Sequence, residues 1–202
     1  PEKVKSFCDR HKGLGGDGIL YGPKCVETNS HFFVDIYNAD GTLAEISGNG
    51  LTIFSRYLLD HHYVQLNEQF TIIPSMHCDV KVTCKQNDDY IVSEIILGNG
   101  MVECVFDYAT PQLLQERFFL PPILRLYKVN MGNPHCIVPV ENVSRTLAET
   151  LGPILECHPI FPEKTNVQFV TYDFAAMQAQ IEIWERGSGY TLGSGSSSCA
   201  VA

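Results

Sequence analysis

Apolar and polar positions alternate through HFFVDIY, residues 31–37, and again through TLAEIS, residues 42–47, with the turn signal NADG between them. A period of two on either side of an Asp-Gly turn predicts a β-hairpin. From Asn49 the period lengthens. Leu51, Phe54, Leu58 and Leu59 recur at helical spacing while Arg56 and Asp60 fall on other faces, so a helix is expected to start where Gly48 and Gly50 flank Asn49. QFTIIP, CDVKVTC and YIVSEIIL have strand composition and are separated by polar turns such as KQNDD. The first half is therefore expected to be rich in β-structure.

Pro121-Pro122, inside ATPQLLQERFFLPPILRLY, cannot sit in a central strand or a helix interior. A crossing between two units is expected there, giving domains 1–122 and 123–202. Beyond it, RLYKVNMGNPHCIVPV reads as strand and turn, ENVSRTLAETLGPILE as an acidic helical segment, and TNVQFVTYD and AAMQAQIEIWERG as strands. The last runs into SGYTLGSGSSSCAVA, a second glycine-serine turn followed by a helix start. Both halves repeat one order: β elements, a Gly-Ser turn, a helix. Ser47 and Ser194 lie too far apart for a short solenoid repeat, and duplication of a whole domain fits better.

Composition narrows the class. A length of 202 residues admits one large or two small domains. With 45% apolar and 18% charged residues, and no apolar run long enough to span a bilayer, a soluble protein without membrane contact is expected. The net charge of -9, with no lysine or arginine cluster, argues against nucleic-acid binding and for a small-molecule partner. Eight cysteines are scattered with neither C-x-x-C pairs nor zinc-like Cys/His spacing, so most are expected to be buried apolar thiols in a reducing compartment, without a metal. The opening PEKVKSF has no initiator methionine and no signal-like segment, which favours a cytoplasmic origin. The closing SSSCAVA begins a helix without a terminating glycine, and both ends are expected to lack parts of the native gene product.

The two serine turns are the candidate chemistry. A helix N-terminus offers unpaired N–H groups and partial positive charge, a place for a carboxylate or a developing oxyanion, and glycine lets a ligand approach the backbone closely. Ser47 and Ser194 can each place a hydroxyl beside such an anion, or each can be an N-cap and nothing more. Glu45 and Leu192 occupy the position two residues before each serine where G-x-S-x-G needs glycine, so a nucleophile elbow is excluded. No nucleotide P-loop pattern occurs either.

Taken in order, DRHKGLGGDGIL, NADGTLAEISGNG, GNPHCIV, FPEKTNVQFV and ERGSGYTLGSGSSSCA resemble the diaminopimelate epimerase family, part of the cofactor-independent amino-acid racemase and epimerase superfamily. The resemblance runs from Cys8 to Ala202. It implies an α+β fold of two pseudo-symmetric domains, each a curled sheet about a central helix, with the amino-acid substrate in the cleft between them. It also implies a mechanism in which a thiolate removes the α-proton on one face, a thiol returns one on the other, and no pyridoxal cofactor takes part. The positions matching those two cysteines are Ser47 and Ser194. A thiol ionises near a pKa of about 8.5, whereas a hydroxyl needs an adjacent base. His135 and Glu185 are the nearest candidates for that help, and His135 is equally a structural or substrate-orienting residue.

By the same resemblance, Asn38, Asn133 and Asn166 would bond the polar ends of the amino acid, and Glu185, paired with Arg186, its amino group. The main chain of Gly48, Asn49, Gly195 and Ser196 would bind its carboxylate. Asn133 and Asn166 can instead be turn residues, and His158 a packing residue. Gly193, Ser197 and Ser198 depart from the family pattern; Ser197 stands where glycine is usual and Thr52 where arginine is common. A glycine-asparagine motif near the family's N-terminus has no match, so selectivity for the distal end of diaminopimelate is unsupported. The resemblance leads to an isomerase, epimerase or racemase with Ser47 and Ser194 in the acid/base positions, and a homodimer is left open. The alternatives are a catalytically silent amino-acid-binding homologue, a dehydratase or double-bond isomerase of the same superfamily, and an epimerase whose cysteines were replaced by design.

Overall fold

The computed structural model describes residues 1–24, 30–76 and 79–202, which form two compact units, 1–98 and 99–202. In the first, α1 (Glu2–Cys8) precedes β1 (Gly18–Tyr21) and β2 (His31–Asn38); α2 (Gly48–Asp60) leads to β3 (Gln69–Pro74), β4 (Val80–Asn87) and β5 (Tyr90–Ile96). The strands form one sheet in the order β1-β2-β3-β4-β5. Only the β2–β3 pair is parallel, and α2 is the crossover that a parallel pair requires. Phe32, Val34 and Ile36 of β2, Phe70 and Ile72 of β3, and Val80, Val82 and Cys84 of β4 alternate inward. They meet Leu51, Phe54 and Leu58 of α2 in one core.

The expected return strand TLAEIS is not formed. A single bridge, Tyr37 to Leu43, follows the NADG turn, and β2 takes β1 as its antiparallel neighbour. Asp40 explains the early exit: its Oδ1 accepts from both the amide and the hydroxyl of Thr42, closing a local turn at Gly41, whose φ of 81° lies in the left-handed region. The chain then passes directly to Ser47 and α2.

The second unit contains β6 (Met101–Ala109), α3 (Gln112–Phe118), β7 (Ile123–Asn130), β8 (Pro134–Pro139), α4 (Arg145–Glu156), β9 (Asn166–Asp173), β10 (Gln178–Glu185), β11 (Gly189–Thr191) and α5 (Gly195–Val201). Its sheet runs β11-β10-β9-β8-β7-β6, again with one parallel pair, β8–β9, bridged by a helix, α4. The division between units therefore falls at Gly98/Asn99 and not at Pro121-Pro122. Pairing of β6 with β7 carries residues 101–109 into the second sheet, and the two prolines separate α3, which ends on a left-handed Phe119, from β7.

Both faces of this sheet are covered. Cys136 and Val138 of β8 and Val167 and Phe169 of β9 join Leu147, Leu151 and Leu155 of α4 in an apolar core. The alternate residues Ile137 and Val170 join Val201 of α5 on the other face. By that same alternation, His135 and Gln168 belong to the face that carries α5.

Candidate active site

Each unit contains one serine turn. In the first, extended backbone at Ser47 (φ -140°) caps α2, and its Oγ accepts from Gly50 N at 3.0 Å. Gly50 packs tightly there: a Cβ would stand 3.1 Å from the Ser47 side chain and from Leu20 Cδ2, which would have to yield by a few tenths of an ångström. Gly48 is half-buried and Asn49 exposed, and no acidic side chain stands in the first turn to occupy the positive end of the helix. Thr52, where arginine is common, turns its hydroxyl back onto Gly48 O at 3.0 Å. Asn38 is exposed and donates to Thr42 Oγ1 at 3.0 Å, holding the NADG turn.

The second turn has the same backbone and a different hydroxyl environment. Ser194 (φ -147°) makes no side-chain cap bond. Its hydroxyl stands beside the carboxylate of Glu185 on β10 and lies 3.5 Å from Ser196 Oγ. Glu185 is half-buried; burial raises its pKa above the ordinary carboxylate value, and the neighbouring Ser194 hydroxyl partly opposes the rise. Gly195 is exposed and Ser196 buried.

Asn166 binds backbone with both polar atoms of its side chain. Its Oδ1 accepts from Arg186 N at 3.0 Å and its Nδ2 donates to Pro134 O at 3.2 Å, so it ties the Glu185-Arg186 segment to β8. The Arg186 guanidinium reaches Glu163 O at 3.2 Å. Asn133 Oδ1 lies 2.8 Å from His135 Nε2, both side chains buried. Burial lowers the His135 pKa to about 4, with Gln168 opposing and the charge of Arg186 adding. His135 is accordingly a neutral imidazole near pH 7, fixed by Asn133. His158 lies against the rings of Phe106 and Tyr108, the packing role anticipated for it.

Three contributors escaped sequence reasoning. Gln168 Nε2 donates to Ser197 Oγ at 2.9 Å inside the protein, so the serine that replaces the usual glycine is filled by a bond from β9. Its only signal was a polar residue in the apolar run NVQFV. Glu156 and Trp184 bond each other at 2.7 Å. The signal for Glu156 was an acid closing an apolar helix, at the end the helix dipole disfavours. The thiols differ partly from expectation: Cys8, Cys84 and Cys136 are buried, Cys104 is half-buried, and Cys157 and Cys199 are exposed. Cys25 and Cys78 lie outside the described residues. Among the described residues, no three of His, Cys, Asp and Glu cluster as metal ligands, and no helix is long and apolar enough to cross a membrane.

The sequence and fold have relatives. The diaminopimelate epimerase family model matches residues 1–95 and 127–202. Diaminopimelate epimerase 2 of Nostoc sp. (strain PCC 7120) is 39% identical over 208 residues, covering 100% of this chain and 70% of the relative. The diaminopimelate epimerase of Leptospira biflexa is 31% identical, with 100% and 72% covered. Among solved structures, a hydroxyproline epimerase from Agrobacterium vitis, bound to trans-4-hydroxy-L-proline, superposes with a TM-score of 0.72 at 14% identity, over 99% of this chain and 63% of that one. A predicted epimerase from Pseudomonas aeruginosa gives 0.58 at 16% identity, over 90% and 63%. The chain thus spans less than two thirds of these solved structures, whose likeness establishes the fold. With the motifs in order, both units matched and the identity sustained along the whole chain, this protein belongs to the diaminopimelate epimerase family.

Proposed function

We propose that this chain is a cofactor-independent amino-acid epimerase or racemase, acting on diaminopimelate or a related amino acid, with Ser194 and Ser47 in the two acid/base positions. The observation that carries it is the hydroxyl of Ser194 beside the half-buried carboxylate of Glu185, whose ionised form it favours. A serine without a base is inert toward an α-proton; a serine beside a carboxylate of raised pKa has an acceptor for its own proton. In the proposed step the α-proton passes to Ser194 Oγ as the Ser194 hydroxyl proton passes to Glu185. The C–H electron pair stays on the α-carbon, delocalised into the substrate carboxylate. Ser47 Oγ already accepts from Gly50 N, which leaves its O–H free to donate, so Ser47 gives its own hydroxyl proton to the opposite face of the carbanion and is restored by a proton from solvent. Free N–H groups at the start of α2 suit the substrate's carboxylate. Homodimerisation and a cytoplasmic location rest on the sequence expectations alone.

A second reading is favoured by the asymmetry of the turns. Reversible epimerisation needs a proton acceptor on both sides, and Ser47 caps its helix where Ser194 has a carboxylate. A dehydratase or double-bond isomerase needs a base on one side only. Chiral chromatography of products from a panel of amino acids, including the diaminopimelate stereoisomers and hydroxyprolines, distinguishes the two. Inversion at the α-carbon supports the first reading; a dehydrated or double-bond-shifted product supports the second. Binding without any product, unchanged by Ser47→Ala and Ser194→Ala, contradicts both and identifies a silent binding protein.

A further inference from the structure

Glu156 closes α4 from within a cluster of buried apolar residues that includes Leu151 and Leu155. A carboxylate there faces the negative end of its own helix and loses hydration, so it needs strong donors. Three reach it. Oε2 accepts from Trp184 Nε1 at 2.7 Å; Oε1 accepts from Gly187 N at 3.2 Å and lies 3.5 Å from Lys164 Nζ. Trp184 and Gly187 immediately bracket Glu185 and Arg186 in sequence.

The backbone shows what these bonds hold. Glu185 pairs with Gly189 across β10 and β11, Ser188 N closes on Glu185 O at 3.2 Å, and Gly187 has a φ of 75°. The amides of Arg186 and Gly187 therefore point away from the ladder, and each is caught by a side chain from another element, Asn166 of β9 and Glu156 of α4. Close packing fixes the third side: a Cβ at Gly152 of α4 would stand 2.6 Å from Trp184 Cβ and Cγ.

We propose that Glu156 is a positioning residue, whose carboxylate pins the β10–β11 turn through Trp184 and Gly187 and so sets where Arg186 stands and where Glu185 stands beside Ser194. This rests on the functional reading above for its catalytic consequence, and on the hydrogen bonds alone for its structural one. Trp184 is the only tryptophan in the chain, so its emission reports the indole–carboxylate bond directly.

The test uses the full chain with Glu156→Gln, which preserves size but offers one accepting oxygen in place of two. The readouts are Trp184 emission and the titration of Glu185 followed by carboxyl carbon NMR, neither of which requires turnover. The expected result is a folded variant with shifted emission and a Glu185 titration displaced from that of the wild type. On any substrate the wild type turns over, kcat is expected to fall roughly 10–100-fold, the scale of a misplaced reacting group, with KM changed by less than about threefold. A folded variant with wild-type emission and an unmoved Glu185 titration overturns the proposal. Should Glu156→Gln fail to fold, Trp184→Phe removes one donor from the same carboxylate, and an unmoved Glu185 titration there is equally decisive. A wild type without turnover, combined with a displaced Glu185 in the variant, sinks the functional reading and leaves the positioning role standing.

Discussion

The hydroxyl of Ser194 stands beside the carboxylate of Glu185, a half-buried group that burial holds above its ordinary pKa. Ser47 uses its oxygen to cap α2. Two turns of the same sequence pattern and nearly the same backbone thus carry unlike hydroxyls, one beside a carboxylate and one capping a helix.

Glu185 predicts a pH dependence of opposite sign for activity and for stability. As base it must be ionised, so kcat/KM is expected to rise with pH through a value above 4.5, and Glu185→Gln should abolish that rise. Because the folded pKa is raised, the folded state holds this proton more tightly than the unfolded chain does. Its contribution to stability is complete below the unfolded value and is lost as pH climbs through the folded one. Thermal melts should show Glu185→Gln more stable than wild type at pH 7 and equal to it at pH 4.

His135 predicts acid lability. Its pKa falls from 6.5 in the unfolded chain to about 4 in the folded one, so the unfolded chain binds the extra proton between these values. Stability should fall as pH drops through that window, by roughly 3 kcal/mol once pH is below both values. Urea midpoints at pH 7 and pH 5 measure the loss, and an imidazole NMR signal still neutral at pH 5.5 identifies its source.

Ser47→Ala removes the oxygen that satisfies Gly50 N and should cost about 1 kcal/mol of stability, recovered by Asn or Asp at the same position. Ser194 caps nothing with its side chain, so Ser194→Ala should leave the urea midpoint nearly unchanged. A matching loss at both positions would contradict the asymmetry.

Ser197→Ala strands the Gln168 amide inside the protein, where Gln168 Oε1 already lacks a partner among the described residues. An unsatisfied buried donor costs about 1–3 kcal/mol, so the variant should be destabilised by that amount. Combining it with Gln168→Leu should restore much of the loss, read by chemical denaturation of the single and double variants.

Much of this was legible in the chain. Period-two runs located β2 to β5, and the helical spacing of Leu51, Phe54 and Leu58 located α2, because each faces a core on one side. The TLAEIS segment alternates too, but Asp40 closes its own turn and the segment meets β2 only at the Tyr37–Leu43 bridge before running on to Ser47. Pro121-Pro122 marked a helix end and not a domain boundary, since nothing local in a sequence tells β6 that its partner β7 lies beyond those prolines. The motifs gave both serines and Glu185. They did not give the closeness of Ser194 to Glu185 or the route from Glu156 through Trp184, which arise from residues brought together only by the sheet and by α4 packed upon it.

The most direct measurement is deuterium incorporation at the α-carbon of candidate amino acids in heavy water, followed by proton NMR for the wild type, Ser194→Ala and Glu185→Gln. Wash-in by the wild type, slowed at least about 100-fold in both variants, is the predicted result. Wash-in undiminished by either substitution, or none by the wild type with any amino acid tried, would contradict the assignment of α-proton transfer to this pair.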